Sequence, residues 1–123
     1  MTIVDSSVWI DHLRRPEAAL LALLSAEHAL SHPFVVGEIA MGSVRDREKI
    51  IAELRDLLPA DVASHEEVMT LVERQRLHGL GLSYVDAHLL ASALIMPGVT
   101  LWTRDNRLLA AAERLGVAAD AEN

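Results

Sequence analysis

The sequence predicts an α/β fold in which a parallel sheet is covered on both faces by helices. Three observations predict it. Short apolar runs that read as buried strands, Thr2–Val4 and Val99–Trp102 most clearly, are separated by longer stretches in which Leu, Ile, Val and Ala recur at helical spacing. Strands and helices alternate along the chain, and that order favours parallel pairing with helical crossovers. The apolar fraction of 51% in 123 residues is enough for one substantial core.

Taken in order, Thr2–Val4 reads as a buried strand, and Val8–Leu13 as a short helix broken before Pro16. Pro16 suits the first turn of a second helix whose apolar stripe is Leu20, Leu21 and Leu24. His28–Ser31 reads as a second strand, Pro33 starts a helix running through Val44, and Asp46–Leu58 gives another, with Ile50, Ile51, Leu54, Leu57 and Leu58 in register. Pro59 stops that helix, and Asp61–Ala63 is the expected third strand. Ser64 and Glu67 form a capping box for a helix that Gly79 and Gly81 close. Ser83 opens a helix that ends at Met96-Pro97-Gly98, and Val99–Trp102 is the fourth strand. Asp105 caps a last helix ended by Gly116, and Val117–Ala119 is expected as a final short strand. With no repeat or linker in this pattern, residues 1–123 are expected to form a single domain.

Composition narrows the function. No apolar run reaches bilayer length and no signal peptide is visible, so a cytoplasmic protein without a membrane span is expected. The absence of cysteine removes disulfides and thiolate metal sites. Aromatic residues at 3% exclude a stacking platform for single strands, and a net charge of −7 argues against broad electrostatic binding to nucleic acid. An enzyme acting on nucleic acid would need its acids gathered on a metal and its arginines placed around the rim.

Four acids stand out. Asp5 follows the first strand, where α/β proteins bind ligands, although the N-cap of the next helix explains it equally. Glu38 shares a helix face with Phe34, Val35, Met41 and Gly42, where an ionised carboxylate is costly unless it is paired or metal-bound. Asp86 makes a capping box with Ser83 but also begins the stripe of Leu89, Leu90 and Ala93. Asp105 follows the fourth strand, again as N-cap or as ligand, with Thr103 and Asn106 as polar neighbours. If the strands preceding Asp5 and Asp105 are neighbours, these two acids meet at the carboxyl edge of the sheet. Carboxylates crowded there repel and raise one another's pKa unless a cation neutralises them, and all-oxygen ligands select Mg²⁺ or Mn²⁺. The remaining acids, Glu17, Asp46, Glu48 and Glu113 among them, read as solvated, and the six histidines form no convincing zinc site.

With these residues in place, the chain resembles the PIN-domain ribonucleases, specifically the VapC-type toxins of type II toxin–antitoxin systems. The matching pieces are Ile-Val-Asp5-Ser-Ser, Val-Gly-Glu38-Ile-Ala-Met-Gly, Leu-Ser-Tyr-Val-Asp86-Ala-His-Leu-Leu-Ala and Leu-Trp-Thr-Arg-Asp105-Asn-Arg-Leu. The resemblance implies a three-layer α/β/α sandwich with a central parallel sheet, and a Mg²⁺-dependent endoribonuclease for which Mn²⁺ can substitute. It implies Asp5 and Asp86 as principal metal ligands, Glu38 and Asp105 completing the cluster, and Thr103 and Asn106 behind them. Cleavage by metal-activated water would leave a 5′-phosphate and a 3′-hydroxyl. Implied partners are a cognate antitoxin, the RNA substrate and a second copy of the chain; the apolar helices over residues 16–25 and 46–58 are the expected contact surfaces, because a chain this small carries more apolar stripe than one core hides. Arg104 and Arg107 flank the acids as candidates for contact with RNA phosphate, and Arg14, Arg15, Arg45, Arg47, Arg74 and Arg76 for a wider rim.

Two other phosphoryl-transfer readings fit poorly. The haloacid-dehalogenase pattern wants an Asp where Ser7 stands, and a receiver domain wants a late lysine, whereas the only lysine is Lys49. The remaining alternative is a catalytically inactive PIN-fold module that binds an antitoxin-like protein.

Overall fold

The structure, a computed structural model, describes residues 1–120. Its elements are β1 (Thr2–Val4), α1 (Ser6–Arg14), α2 (Ala18–Ser25), β2 (Ala29–Ser31), α3 (Pro33–Met41), α4 (Arg47–Arg55), β3 (Leu58–Pro59), α5 (His65–Gln75), α6 (Tyr84–Ile95), β4 (Thr100–Trp102) and α7 (Asn106–Arg114). The four strands form one sheet in the order β3-β2-β1-β4, every pairing parallel. Ile3 pairs with Leu30 on one side and Leu101 on the other, and Val4 pairs with Trp102. Successive strand residues face opposite sides of a sheet, yet Thr2, Ile3 and Val4 are all buried, so both faces of β1 are covered. This is the expected α/β/α sandwich.

The order also fixes where function can sit. The chain builds outward from β1 to β2 and β3, then returns to place β4 on the other side of β1. The switch in direction lies between β1 and β4, and the crevice beyond their carboxyl ends is where such sheets take ligands. Asp5 leaves β1 there, and Asp105 follows β4 by three residues.

Packing explains the elements. Ile3, Leu20, Leu30, Ile39, Leu54, Leu89, Leu90, Leu101 and Leu108 are the large side chains that lose nearly all contact with water. Helix α6 is buried continuously from Ala87 to Ala93, so it is covered on every side, with His88 and Ser92 as the polar members of the run. Its N-terminus carries the expected capping box: Ser83 Oγ accepts from the Asp86 N–H at 3.0 Å, and Asp86 Oδ2 accepts from the Ser83 N–H at 2.9 Å. The Ser64–Glu67 box is formed in the same way.

Several boundaries differ from expectation: α3 ends at Met41 rather than Val44, and α2 starts at Ala18, after Pro16 rather than at it. The third strand is Leu58–Pro59 rather than Asp61–Ala63, because α4 ends at Arg55 and Pro59 lies on the sheet's edge strand, where its missing N–H costs no ladder bond. Helix α5 ends at Gln75 with Arg76 in the left-handed region (φ 53°), before the glycines expected to close it are reached. The expected last strand reduces to a single parallel bridge, Ala118 against Leu101.

Candidate functional site

Asp5 is placed by the sheet. Its N–H donates to the Trp102 carbonyl at 2.9 Å, continuing the β1–β4 ladder by one residue. Its carbonyl accepts from Val8 and Trp9 and so starts α1. The side chain does not cap that helix, although the residue stands at the N-cap position. It turns toward β4, where Oδ2 accepts from Ser7 Oγ at 2.7 Å and from Thr103 Oγ1 at 2.8 Å. Each hydroxyl accepts in turn from the turn that follows β4: Ser7 Oγ from the Arg104 N–H at 3.0 Å, and Thr103 Oγ1 from the Asp105 N–H at 3.1 Å. Two hydroxyls thus relay two backbone amides onto one carboxylate. Asp5 and Thr103 are 5% and 2% exposed, and a carboxylate so buried needs donors of this kind.

The other three acids surround this point. Ser6 Oγ donates to Glu38 Oε1 at 3.3 Å and so links α1 to α3. Glu38 itself is exposed at the rim. The expectation that it lies buried on an apolar face is corrected, because Val35 and Ile39 turn inward while Met41 is 89% exposed. Its pKa is nevertheless raised, first by partial desolvation and then by the charges of Asp5 and Asp86, with the Ser6 bond opposing. Asp86 is half-buried and its pKa is also raised: desolvation leads, and Asp5 and Asp105 add to it against the Ser83 hydrogen bonds. Asp105 Oδ1 caps α7, accepting from the Arg107 and Leu108 N–H groups at 2.9 and 3.1 Å. Capping and membership of the acidic edge therefore coexist at Asp86 and Asp105, and at Asp5 they do not.

Among the described residues, no three His, Asp or Glu side chains stand close enough together to hold a metal as they are. Glu38 feels the charges of Asp5 and Asp86, and Asp86 those of Asp5 and Asp105, but each acid is held by its own hydrogen-bond donors. The donor set itself suits a hard cation: all four groups are carboxylates, and desolvation, with like charge adding to it, raises two of their pKa values. Both hydrogen bonds to Asp5 fall on Oδ2 and both to Asp105 on Oδ1, which leaves one oxygen of each for a ligand.

Residues 2–114 match the PIN domain family. The chain belongs to it. It is 48% identical over 118 residues to Ribonuclease VapC32 from two strains of Mycobacterium tuberculosis, covering 96% of this chain and 95% of the relative. Among solved structures it is similar to FitAcB from Neisseria gonorrhoeae, with a TM-score of 0.63, 22% identity, and coverage of 96% of this chain and 95% of that one. At that identity the likeness speaks for the fold. The resemblance read from the four motifs, to VapC-type PIN ribonucleases, is borne out.

Around the acidic edge of this PIN domain the remaining expected residues divide. Thr103 touches Asp5, whereas Asn106 is exposed on α7 and bonds none of the four acids. Arg104 turns away from the acids: Nη1 pairs with Asp11 at 2.8 Å and Nη2 with Glu17 at 2.6 Å, with the guanidinium 5.7 Å from the Trp102 ring centre. It fastens the α1–α2 turn to β4, and Glu17, expected to be solvated, is its partner. Arg47 also leaves the expected rim, its Nε donating to the Ala40 carbonyl. Ser6 and Ser7 were not singled out by sequence, since two serines opening a helix look like a cap. The one signal available was that Ser7 stands two residues after Asp5.

Proposed function

We propose that the chain is a metal-dependent endoribonuclease of the VapC type, the toxin of a toxin–antitoxin pair. The observation that supports the reading is that Asp5 and Asp105 follow the paired strands β1 and β4, while Glu38 feels the charges of Asp5 and Asp86, and Asp86 those of Asp5 and Asp105. Asp5 and Asp86 would be the principal ligands of Mg²⁺, with Mn²⁺ as substitute, and Glu38 and Asp105 would complete the set directly or through water. A bound ion supplies Lewis acidity at a phosphodiester oxygen and lowers the pKa of water. The rest falls to the protein. Ser7 and Thr103 fix the orientation of Asp5, because both donate to the same oxygen. Glu38, at the rim with a raised pKa, is suited to take a proton from an attacking water.

A protein antitoxin is the partner in this reading. Supporting it is a groove of about 780 Å³ between α3, α4 and β3, lined by Val36, Ile51, Leu57 and Val62, on the helix that carries Glu38. Leu21 and Leu58, 48% and 66% exposed, lie on the segments expected to meet a second copy of the chain. No helix among the described residues is long and apolar enough to cross a membrane.

RNA cleavage by the purified chain tests the reading. Cleavage should require a divalent ion, stop in EDTA, leave 5′-phosphate ends, and be lost in Asp5→Asn and Asp86→Asn while both variants stay folded. The spacing of the acids favours one rival, an inactive PIN-fold module that binds a protein partner. A folded, metal-loaded wild type that leaves RNA intact would decide for the module.

A further inference from the structure

One glycine stands apart from the rest. A Cβ added at Gly37, Gly79, Gly98 or Gly116 would meet nothing within 4 Å, and at Gly42 its nearest neighbour would be 3.5 Å away. At Gly81 it would fall 2.6 Å from Nη1 and 2.7 Å from Cδ of Arg107. The Arg107 side chain lies across the Gly81 backbone and fills the space a side chain would take. Gly81 also has φ +79°, a conformation that glycine adopts without strain.

The contact joins two parts of the acidic edge. Gly81 precedes Ser83, whose capping box holds Asp86, and Arg107 follows Asp105, whose carboxylate accepts from the Arg107 N–H. Arg107 makes no ion pair among the described residues, whereas Arg104, on the other side of Asp105, is committed to Asp11 and Glu17. The charges acting on Glu38 and Asp86 are those of other acids, so Arg107 is not spent in neutralising the site. A chain of net charge −7 that takes a polyanion needs a cation of this kind at the rim.

We infer that Arg107, laid across Gly81, grips an RNA phosphate flanking the scissile one, on the side where the loop between α5 and α6 meets α7, and that Gly81 is a positioning residue acting through Arg107. The inference rests on the ribonuclease reading and adds a direction to the RNA path. It also separates two arginines that occupy equivalent-looking places in Thr-Arg104-Asp-Asn-Arg107.

The test uses a fluorescent single-stranded RNA oligonucleotide, cleaved in Mg²⁺ for kcat and KM and bound in EDTA across a salt series. Arg107→Gln should raise KM roughly 3- to 10-fold with kcat nearly unchanged. It should also lower the slope of log affinity against log salt by about 0.7, the loss of one single-strand phosphate contact. Arg107→Lys should keep the salt slope. Gly81→Ala should raise KM both by displacing Arg107 and by straining the φ +79° backbone, and the part due to Arg107 should disappear in the Arg107→Gln background. The inference is overturned if Arg107→Gln leaves KM and the salt slope at their wild-type values. A Gly81→Ala effect that persists undiminished in the Arg107→Gln background overturns the role given to Gly81. Arg107 is exposed, so its variants should fold. If the wild type itself neither binds nor cleaves the oligonucleotide, it is the ribonuclease reading that has failed, and the inference falls with it.

Discussion

Thr103→Val is the sharpest probe of how the site is held. The replacement keeps the side-chain shape at a position only 2% exposed, so packing is nearly conserved and the hydroxyl alone is lost. That hydroxyl donates to the Asp5 carboxylate at 2.8 Å and accepts from the Asp105 N–H at 3.1 Å. A hydrogen bond to a charged group contributes about 1.5–3 kcal/mol, and an orphaned amide costs about 1–3 kcal/mol where water cannot replace the partner. Asp105 is exposed, so water recovers much of the second term. The expected loss is about 3 kcal/mol, which for a chain of this size lowers Tm by roughly 10 °C. Urea denaturation of wild type, Thr103→Val, Asp5→Asn and the double variant checks the assignment. Against a neutral Asn the hydroxyl gains only an ordinary hydrogen bond of about 1 kcal/mol, so Thr103→Val should cost less in the Asp5→Asn background. Equal costs in the two backgrounds would refute the charge-assisted relay.

The remaining predictions concern pH and the two arginines' different duties. His32 is fully buried, with Nδ1 accepting from the Phe34 N–H and Nε2 bonded to Ser92 Oγ; burial, with His88 assisting, lowers its pKa from 6.5 to about 4. Below pH 6.5 the unfolded chain takes up this proton and the folded chain does not, so stability falls as pH drops toward 4, by on the order of 3 kcal/mol. His32→Asn, which keeps a capping oxygen, should remove that slope in urea midpoints measured against pH. Glu38 and Asp86 act with the opposite sign. Their raised pKa values make the folded state hold protons that the unfolded chain has released, so in EDTA stability falls as pH rises just above the ordinary carboxylate range, and Glu38→Gln or Asp86→Asn should flatten the fall. Arg104→Met should cost about 1 kcal/mol, since its two ion pairs are partly exposed, and should leave the salt dependence of RNA binding at the wild-type value.

How much of this could be read from the sequence depended on whether the determining contacts were local. Capping boxes at Ser64 and Ser83 and the cap at Asp105 are settled within four residues, and the structure has them as expected. Strands β1 and β4 were legible because their buried apolar runs leave little alternative. Pro59 misled because one residue type both ends helices and tolerates an edge strand, and only the sheet order distinguishes the two. At Asp5 the N-cap position was right, and the direction of the side chain depended on Thr103, 98 residues away. Contacts far apart in sequence also hid the difference between Arg104 and Arg107. One meets acids on the α1–α2 side and the other meets a glycine before α6, and nothing in Arg-Asp-Asn-Arg marks which is which. Glu38 was singled out for the wrong reason: it is not buried among apolar neighbours, and it draws attention because partial desolvation and the charges of Asp5 and Asp86 raise its pKa.

The central claim is that Asp5, Glu38, Asp86 and Asp105 act as one divalent-cation site. Calorimetric titration of the wild-type protein with Mn²⁺, repeated on Asp86→Asn, tests it most directly. The expected result is saturable binding to the wild type, weakened at least tenfold in the variant, with a Mn²⁺-induced rise in Tm that the variant loses. Equal Mn²⁺ affinity in the two proteins, or no binding to the wild type at millimolar Mn²⁺, would contradict it.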